Sequence, residues 1–121
     1  MRVNVLKTKS FKFAARTVNL YKYLCDDKKE FVLSKQILKS GTSVGAIIRE
    51  AEHSESKADF VHKMAIAQKE INETIYWLEL LCETNYISKI EFESMNLDAV
   101  ELIKLITASI KTAKSTLTPN H

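Results

Sequence analysis

The fold is decided by residues 34–83, SKQILKSGTSVGAIIREAEHSESKADFVHKMAIAQKEINETIYWLELLCE. Ile37, Gly41, Val44, Ile48 and Ala51 alternate spacings of four and three, and so do Phe60, Met64, Ala67, Ile71, Thr74, Leu78 and Leu81. That period gives each segment one apolar stripe, which a helix buries against a partner at a shallow crossing angle. Thr74 interrupts the second stripe, and Ile75 beside it can cover the gap. Between the segments, Ser56 and Asp59 stand three apart as in a capping box, with Asp in place of Glu or Gln. They mark the start of the second helix. The stretch predicts two helices joined by a short polar turn.

The chain's two glycines, Gly41 and Gly45, fall inside the first of these helices. Each costs about 1 kcal/mol in a helix interior. The apolar period runs through both without a phase change, and a four-residue spacing puts them on nearly one face. With Ala46 beside them, Gly41, Thr42, Ser43 and Gly45 are candidate packing residues where another helix approaches closely.

Outward from the hairpin the pattern stays helical. The chain has 121 residues and a single proline, Pro119. That length suits one domain, 1–121, and the scarcity of breakers predicts an all-α chain. Strand-like alternation is confined to RVNVLK, residues 2–7. A first helix is expected from Thr8 or Ser10 to about Cys25, with Phe11, Ala14, Val18, Tyr21 and Cys25 facing the core. Lys9, Lys12 and Arg16 fall on its opposite face, and residues 1–7 read as a basic arm. Downstream, Ser88 and Glu91 form a capping box for the last helix. Its stripe begins with Phe92, Met95, Ala99 and Leu102. It continues, drifting one position, with Ile103, Ile106, Ile110, Ala113 and Leu117. The tail TPNH, residues 118–121, is expected to fray. Four helices with short links predict an antiparallel up-down-up-down four-helix bundle.

Charge is distributed unevenly. Residues 1–40 hold ten Lys or Arg and three acids, whereas residues 41–121 hold eight and twelve. Such asymmetry points to a localised surface for a polyanion. Lys7, Lys9, Lys12, Arg16 and Lys22 are the candidate phosphate contacts, with Lys28, Lys29, Lys35 and Lys39 as outliers. Contacts of this kind give affinity without reading sequence. Composition alone fits a solvated face equally well.

Chemistry is weakly signalled. No Gly-rich phosphate loop or nucleophile elbow is present, so no catalytic residue and no small-molecule substrate are expected. Glu50 with His53 and Asp59 with His62 have the spacing of Glu-x-x-His ligand pairs, but both flank the turn near a bundle end, whereas di-iron sites lie in mid-bundle. No metal site and no cofactor are expected. No apolar run approaches the roughly 18 residues of a membrane span. No signal-peptide core is seen. Cys25 and Cys82 occupy apolar helical positions and read as reduced thiols, which fits the cytoplasm. On the third helix Ile66, Trp77 and Leu80 lie about 110° from the core stripe at 100° per residue. They are candidates for a subunit interface, or for burial by neighbouring helices.

The string SGTSVGAIIREA, followed by SKADF, IAQKEINET and YWLELL, resembles the four-helix-bundle proteins first noted as reading frames in intervening sequences of bacterial 23S ribosomal RNA genes. The match covers residues 40–83. Where the family has Gly-Ala-Asn, this chain has Gly45, Ala46 and Ile47, so the asparagine's polar contact is not expected. The resemblance implies a homo-oligomeric ring, typically a pentamer, packing roles for Gly41, Thr42, Ser43 and Gly45, and polar contacts for Glu50 and Glu70. The chain is also similar to the accessory protein of diversity-generating retroelements, a basic ring-forming bundle that binds nucleic acid and the reverse transcriptase. That likeness implies a non-enzymatic protein that binds RNA or DNA, or one that scaffolds a partner enzyme without touching nucleic acid.

Overall fold

The structure, a computed structural model, describes the backbone of residues 2–117 and the side chains of residues 5–116. Four helices follow one another: α1 (Arg2–Asp26), α2 (Leu33–Ala51), α3 (Lys57–Glu83) and α4 (Lys89–Leu117). Contacts between them fix their directions. Lys7 pairs with Glu52 while Thr17 packs on Gly41. Ser43 donates to Glu70, and the Ser40 and Thr74 hydroxyls bond each other. Lys57 reaches Thr116 and Gln68 reaches Thr107. In each pair of helices one number rises as the other falls, so successive helices are antiparallel. Arg16–Asp98 and Lys9–Glu101 bring α4 back against α1 in the same sense. This is the up-down-up-down bundle the sequence predicts, with its thinnest seam between α1 and α4.

The hairpin stripes are buried as expected. Ile37, Gly41, Val44, Ile48 and Ala51 of α2 face Met64, Ala67, Ile71, Thr74, Leu78 and Leu81 of α3, while Phe60 is half-buried. Fully burying a large apolar side chain contributes about 1.5–3 kcal/mol. Thr74 needs no cover from Ile75. Its hydroxyl lies 2.8 Å from both the Glu70 carbonyl and Ser40 Oγ, so a fully buried polar atom is satisfied within the core.

The first helix differs from expectation in start and in rotation. It already includes Arg2, so the basic segment forms its first turns rather than an arm. Its buried positions are Leu6, Ser10, Phe13, Thr17 and Leu24, with Leu20 packed against them. Phe11 is 59% exposed. Ala14, Val18, Tyr21 and Cys25 are half-buried. The inward face is turned by about 100° from the expected stripe, at 100° per residue. Ser10 and Thr17 hide the true stripe because both are polar. Each satisfies its hydroxyl within the helix, Ser10 on the Lys7 carbonyl and Thr17 on that of Phe13. On α4 the expected drift is absent as well. Met95, Ala99, Leu102 and Ile106 run straight on to Ser109, while Ile103 and Ile110 pack at the flank. The expectations for Leu117 as a core side chain and for residues 118–121 as a frayed tail lie outside the described residues.

Capping explains where the helices begin. Ser56 accepts from the Asp59 N–H at 3.1 Å, and Asp59 in turn accepts from Glu55 N–H. Ser88 and Glu91 complete a reciprocal capping box. The start of α2 has no side-chain cap of its own. Glu30, itself buried, accepts instead from the N–H groups of Val32, Leu33 and Ser34 at 3.2, 2.9 and 2.7 Å. Burial pushes the Glu30 carboxyl upward, but those donors outweigh it and hold it below the usual glutamate range. At the ends of α1 and α3, Lys29 and Asn85 take positive φ values of 54° and 67°. The following N–H groups, of Glu30 and Tyr86, turn back to Leu24 and Leu81.

The glycines sit where α1 crosses α2. A Cβ added at Gly41 would fall 2.6 Å from Thr17 Cγ2 and Oγ1, whereas one at Gly45 would meet the Ser10 carbonyl oxygen at 3.4 Å. The helix approach predicted at these residues is therefore made by α1. Thr42 bonds its own helix, and Ser43 faces α3 instead.

Chemical denaturation should separate these roles. Gly41→Ala should destabilise by about 1–3 kcal/mol through overpacking. Gly45→Ala should be neutral or stabilising by up to about 1 kcal/mol, because helix propensity rises and the added methyl meets ordinary van der Waals spacing. Glu30→Gln should remove about 0.5–2 kcal/mol at neutral pH. Since the folded Glu30 pKa lies below the unfolded one, its contribution is full above the ordinary glutamate value. That contribution fades as pH falls through the lowered folded value, so variant and native stabilities should converge in acid.

Candidate nucleic-acid interface

The sequence names five cations, and the structure separates them into two groups. Lys7 pairs with Glu52 beside α2 at 3.2 Å, Lys9 with Glu101 of α4 at 3.2 Å, and Arg16 with Asp98 of α4 at 2.6 Å. Arg16 also donates to Ser94 Oγ at 2.9 Å. Lys9 and Arg16 thus point along the seam with α4 rather than straight outward. Lys12 and Lys22 are exposed, with no carboxylate among the described residues within 4.0 Å. The excess of acid in the second half of the chain therefore answers part of the basic excess in the first.

Other cations join Lys12 and Lys22. Lys35, Lys39 and Arg49 on α2 are exposed and, among the described residues, form no ion pair. Because α1 and α2 approach closely at the glycines, the outward sides of the two helices adjoin. The Arg49 guanidinium lies 5.3 Å from the centre of the Phe11 ring. In the loop above, Lys28 stands 5.9 Å over Tyr23. Sequence reasoning left Arg49 out of the phosphate contacts because it lies beyond the basic first third, and missed Phe11 by placing it in the core. The competing stripe of Leu6, Phe13, Leu20 and Leu24 is the signal that could have found it.

The candidate subunit strip lies on α3, on the side that carries Glu70 toward Ser43 of α2. Ile66, Trp77 and Leu80 are half-buried, and Tyr76 beside them is 55% exposed with its ring edge-on to Trp77 at 5.1 Å. Trp77 Nε1 donates to Glu73 at 3.3 Å. Glu70 accepts from Ser43, as the resemblance implies for that position, while Glu50 is exposed. Ile47, where the family has asparagine, packs against the core.

Elsewhere the chemistry is spare. Among the described residues no group of three or more His, Cys, Asp or Glu side chains is placed to hold a metal ion. Asp59 is engaged by Lys63 at 2.9 Å, and that bond holds its carboxyl below the usual range. Cys25 and Cys82 are free and half-buried. A largely apolar cleft of about 790 Å³, not foreseen from sequence, opens at the α2–α3 turn between Ala51, Phe60, Ser109 and Ala113. No helix among the described residues is long and apolar enough to cross a membrane.

With this geometry in place, comparison with known proteins decides the family. The model of the 23S rRNA-intervening sequence proteins matches residues 3–108. The chain belongs to that family. A crystal structure of a protein of unknown function from the S23 ribosomal protein family of Bacteroides thetaiotaomicron is 58% identical to this intervening-sequence protein. It superposes with a TM-score of 0.91 over 92% of this chain and 99% of that one. No curated protein matches. The family assignment carries the bundle with it and assigns no catalytic residue.

The ion pairs make a testable demand on the α1–α4 seam. Arg16→Glu sets a second carboxylate against Asp98 and should lower stability by about 1 kcal/mol. Adding Asp98→Arg should restore most of the loss, read as the urea midpoint.

Proposed function

We propose that this chain is a non-catalytic bundle of the cytoplasm that associates with itself into a ring and binds RNA or DNA through the outward side of α1 and α2. The observation that carries the reading is a group of exposed cations on α1 and α2 that form no ion pair among the described residues, Lys12, Lys22, Lys35, Lys39 and Arg49, in the part of the chain where bases outnumber acids. Lys and Arg placed this way take up phosphates and release counterions, which makes affinity fall as salt rises. Lys7, Lys9 and Arg16 flank the same surface. Their exposed pairs are worth about 0.2–1 kcal/mol each, little enough for a phosphate to compete with the carboxylate.

Self-association rests on the strip of Ile66, Trp77 and Leu80 with Tyr76. The bundle leaves this strip partly open although it includes a tryptophan, a residue type enriched at interface cores. Repeating the cationic face around a ring multiplies weak phosphate contacts into avidity. No membrane and no small-molecule substrate enter this reading. Two free thiols suit a reducing compartment.

The two surfaces separate in one experiment on the native chain, which should have a mass of several subunits and bind a polyanion matrix in a salt-dependent manner. Replacing Lys12, Lys22, Lys35 and Lys39 with Glu should abolish retention and leave mass and helix content unchanged. Trp77→Glu should reduce the mass to one chain and weaken retention. Retention of the quadruple variant equal to native would overturn the nucleic-acid reading and leave a protein scaffold in its place.

A further inference from the structure

Phe11 has no role in the core. It is 59% exposed on the outward side of α1, next in sequence to the exposed Lys12. Across the seam, Arg49 of α2 lays its guanidinium 5.3 Å from the ring centre. The two meet because the glycine face of α2 lets α1 come close, with Gly45 against the backbone of Ser10, the residue before Phe11. Ala15 on α1 and Ala46 on α2 lie about one turn from the pair and are exposed, so small side chains border the ring.

Lysines alone do not distinguish a duplex from a single strand, since both present phosphates. An exposed aromatic ring beside an arginine does, because a base can stack on the ring or the guanidinium only when its face is free of a neighbour. We infer that Phe11 and Arg49 form a stacking platform for an unpaired base, so that this face prefers single-stranded nucleic acid. A base covers the open part of the Phe11 ring, and Arg49 sandwiches it or turns to the adjoining phosphate. Lys22, Lys35 and Lys39 continue the cationic track toward the other end of α1 and α2. Lys39 and Arg49 are ten residues apart on α2, about 15 Å at 1.5 Å per residue, so the track takes a few nucleotides. This inference rests on the proposed nucleic-acid reading and goes beyond it in naming the strand state and the base that is held.

The test measures the native chain, Phe11→Ala, Phe11→Trp and the quadruple lysine variant against labelled oligo(U), oligo(dT) and a duplex of equal length, over a range of salt. The native chain should favour both single strands over the duplex. Phe11→Ala should weaken single-strand binding roughly tenfold and leave duplex binding unchanged, because stacking on an aromatic side chain is sequence-tolerant and absent in paired bases. Its salt slope should not change, since every lysine that meets a phosphate is still in place, and Phe11→Trp should retain single-strand affinity. The quadruple variant should bind all three ligands more weakly and show a shallower salt slope, by roughly 0.7 for each phosphate it no longer neutralises on a single strand. Unchanged single-strand binding by Phe11→Ala, beside a quadruple variant that binds more weakly, would overturn the platform and keep the polyanion reading. Native protein that binds none of the ligands would overturn both. A change in solution mass for Phe11→Ala would assign the ring to an interface between copies of the chain and also overturn the platform.

Discussion

Everything on the cationic side of this bundle depends on how closely α1 can lie on α2. Side chains ordinarily hold packed helices about 8–10 Å apart. Here Gly41 gives its space to Thr17, while Gly45 lies against the backbone at Ser10 at ordinary contact distance. The small and hydroxylated residues that face this crossing stay dry because their hydroxyls turn back onto their own helix. Close approach has a second effect. It brings the outward residues of α1 and α2 onto one continuous surface, which is why Phe11 and Arg49 meet although they belong to different helices.

Charge then divides by direction. Cations on the flanks of α1 find acids beside them, Glu52 on one side and Asp98 and Glu101 on the other. These pairs bridge α1 to its neighbours, including the thin seam with α4. Lys12, Lys22, Lys35, Lys39 and Arg49 are exposed and pair with no carboxylate among the described residues. Lys69, Lys89, Lys104 and Lys111 on α3 and α4 are exposed too, but in residues 41–121 acids outnumber bases twelve to eight, whereas residues 1–40 hold ten bases and three acids. A net charge of only +3 therefore conceals one markedly basic side. On α3, Ile66, Trp77 and Leu80 form a half-buried apolar strip with Tyr76 exposed beside it.

The helical hairpin was legible because its stripes are apolar and regular, and the glycines because only a close approach gives them a purpose inside a helix. The N-cap at Ser56 and the capping box at Ser88 were legible from spacing alone. The rotation of α1 was not. Two stripes compete on that helix, and the one containing Phe11 and Tyr21 is the more apolar in appearance, while Ser10 and Thr17 interrupt the one that is buried. Choosing between them requires knowing that the helix begins at Arg2, which adds Leu6 to the second stripe, and that glycines wait opposite Ser10 and Thr17. Glu30 was missed for a related reason, since it caps α2 from outside the helix, where a spacing rule for caps does not look. Of the candidate site, the basic character of the first third was readable. Which cations are paired was not, because Glu52, Asp98 and Glu101 are distant in sequence.

Whether a polyanion sits on the side of the bundle formed by α1 and α2 is tested most directly by titrating isotope-labelled protein with oligo(U) and following backbone amide shifts. The expected result is perturbation concentrated at Phe11, Lys12, Lys22, Lys35, Lys39 and Arg49, with the outward residues of α3 and α4 unmoved. Shifts clustered instead around Tyr76, Trp77 and Leu80, or none at any residue, would contradict it.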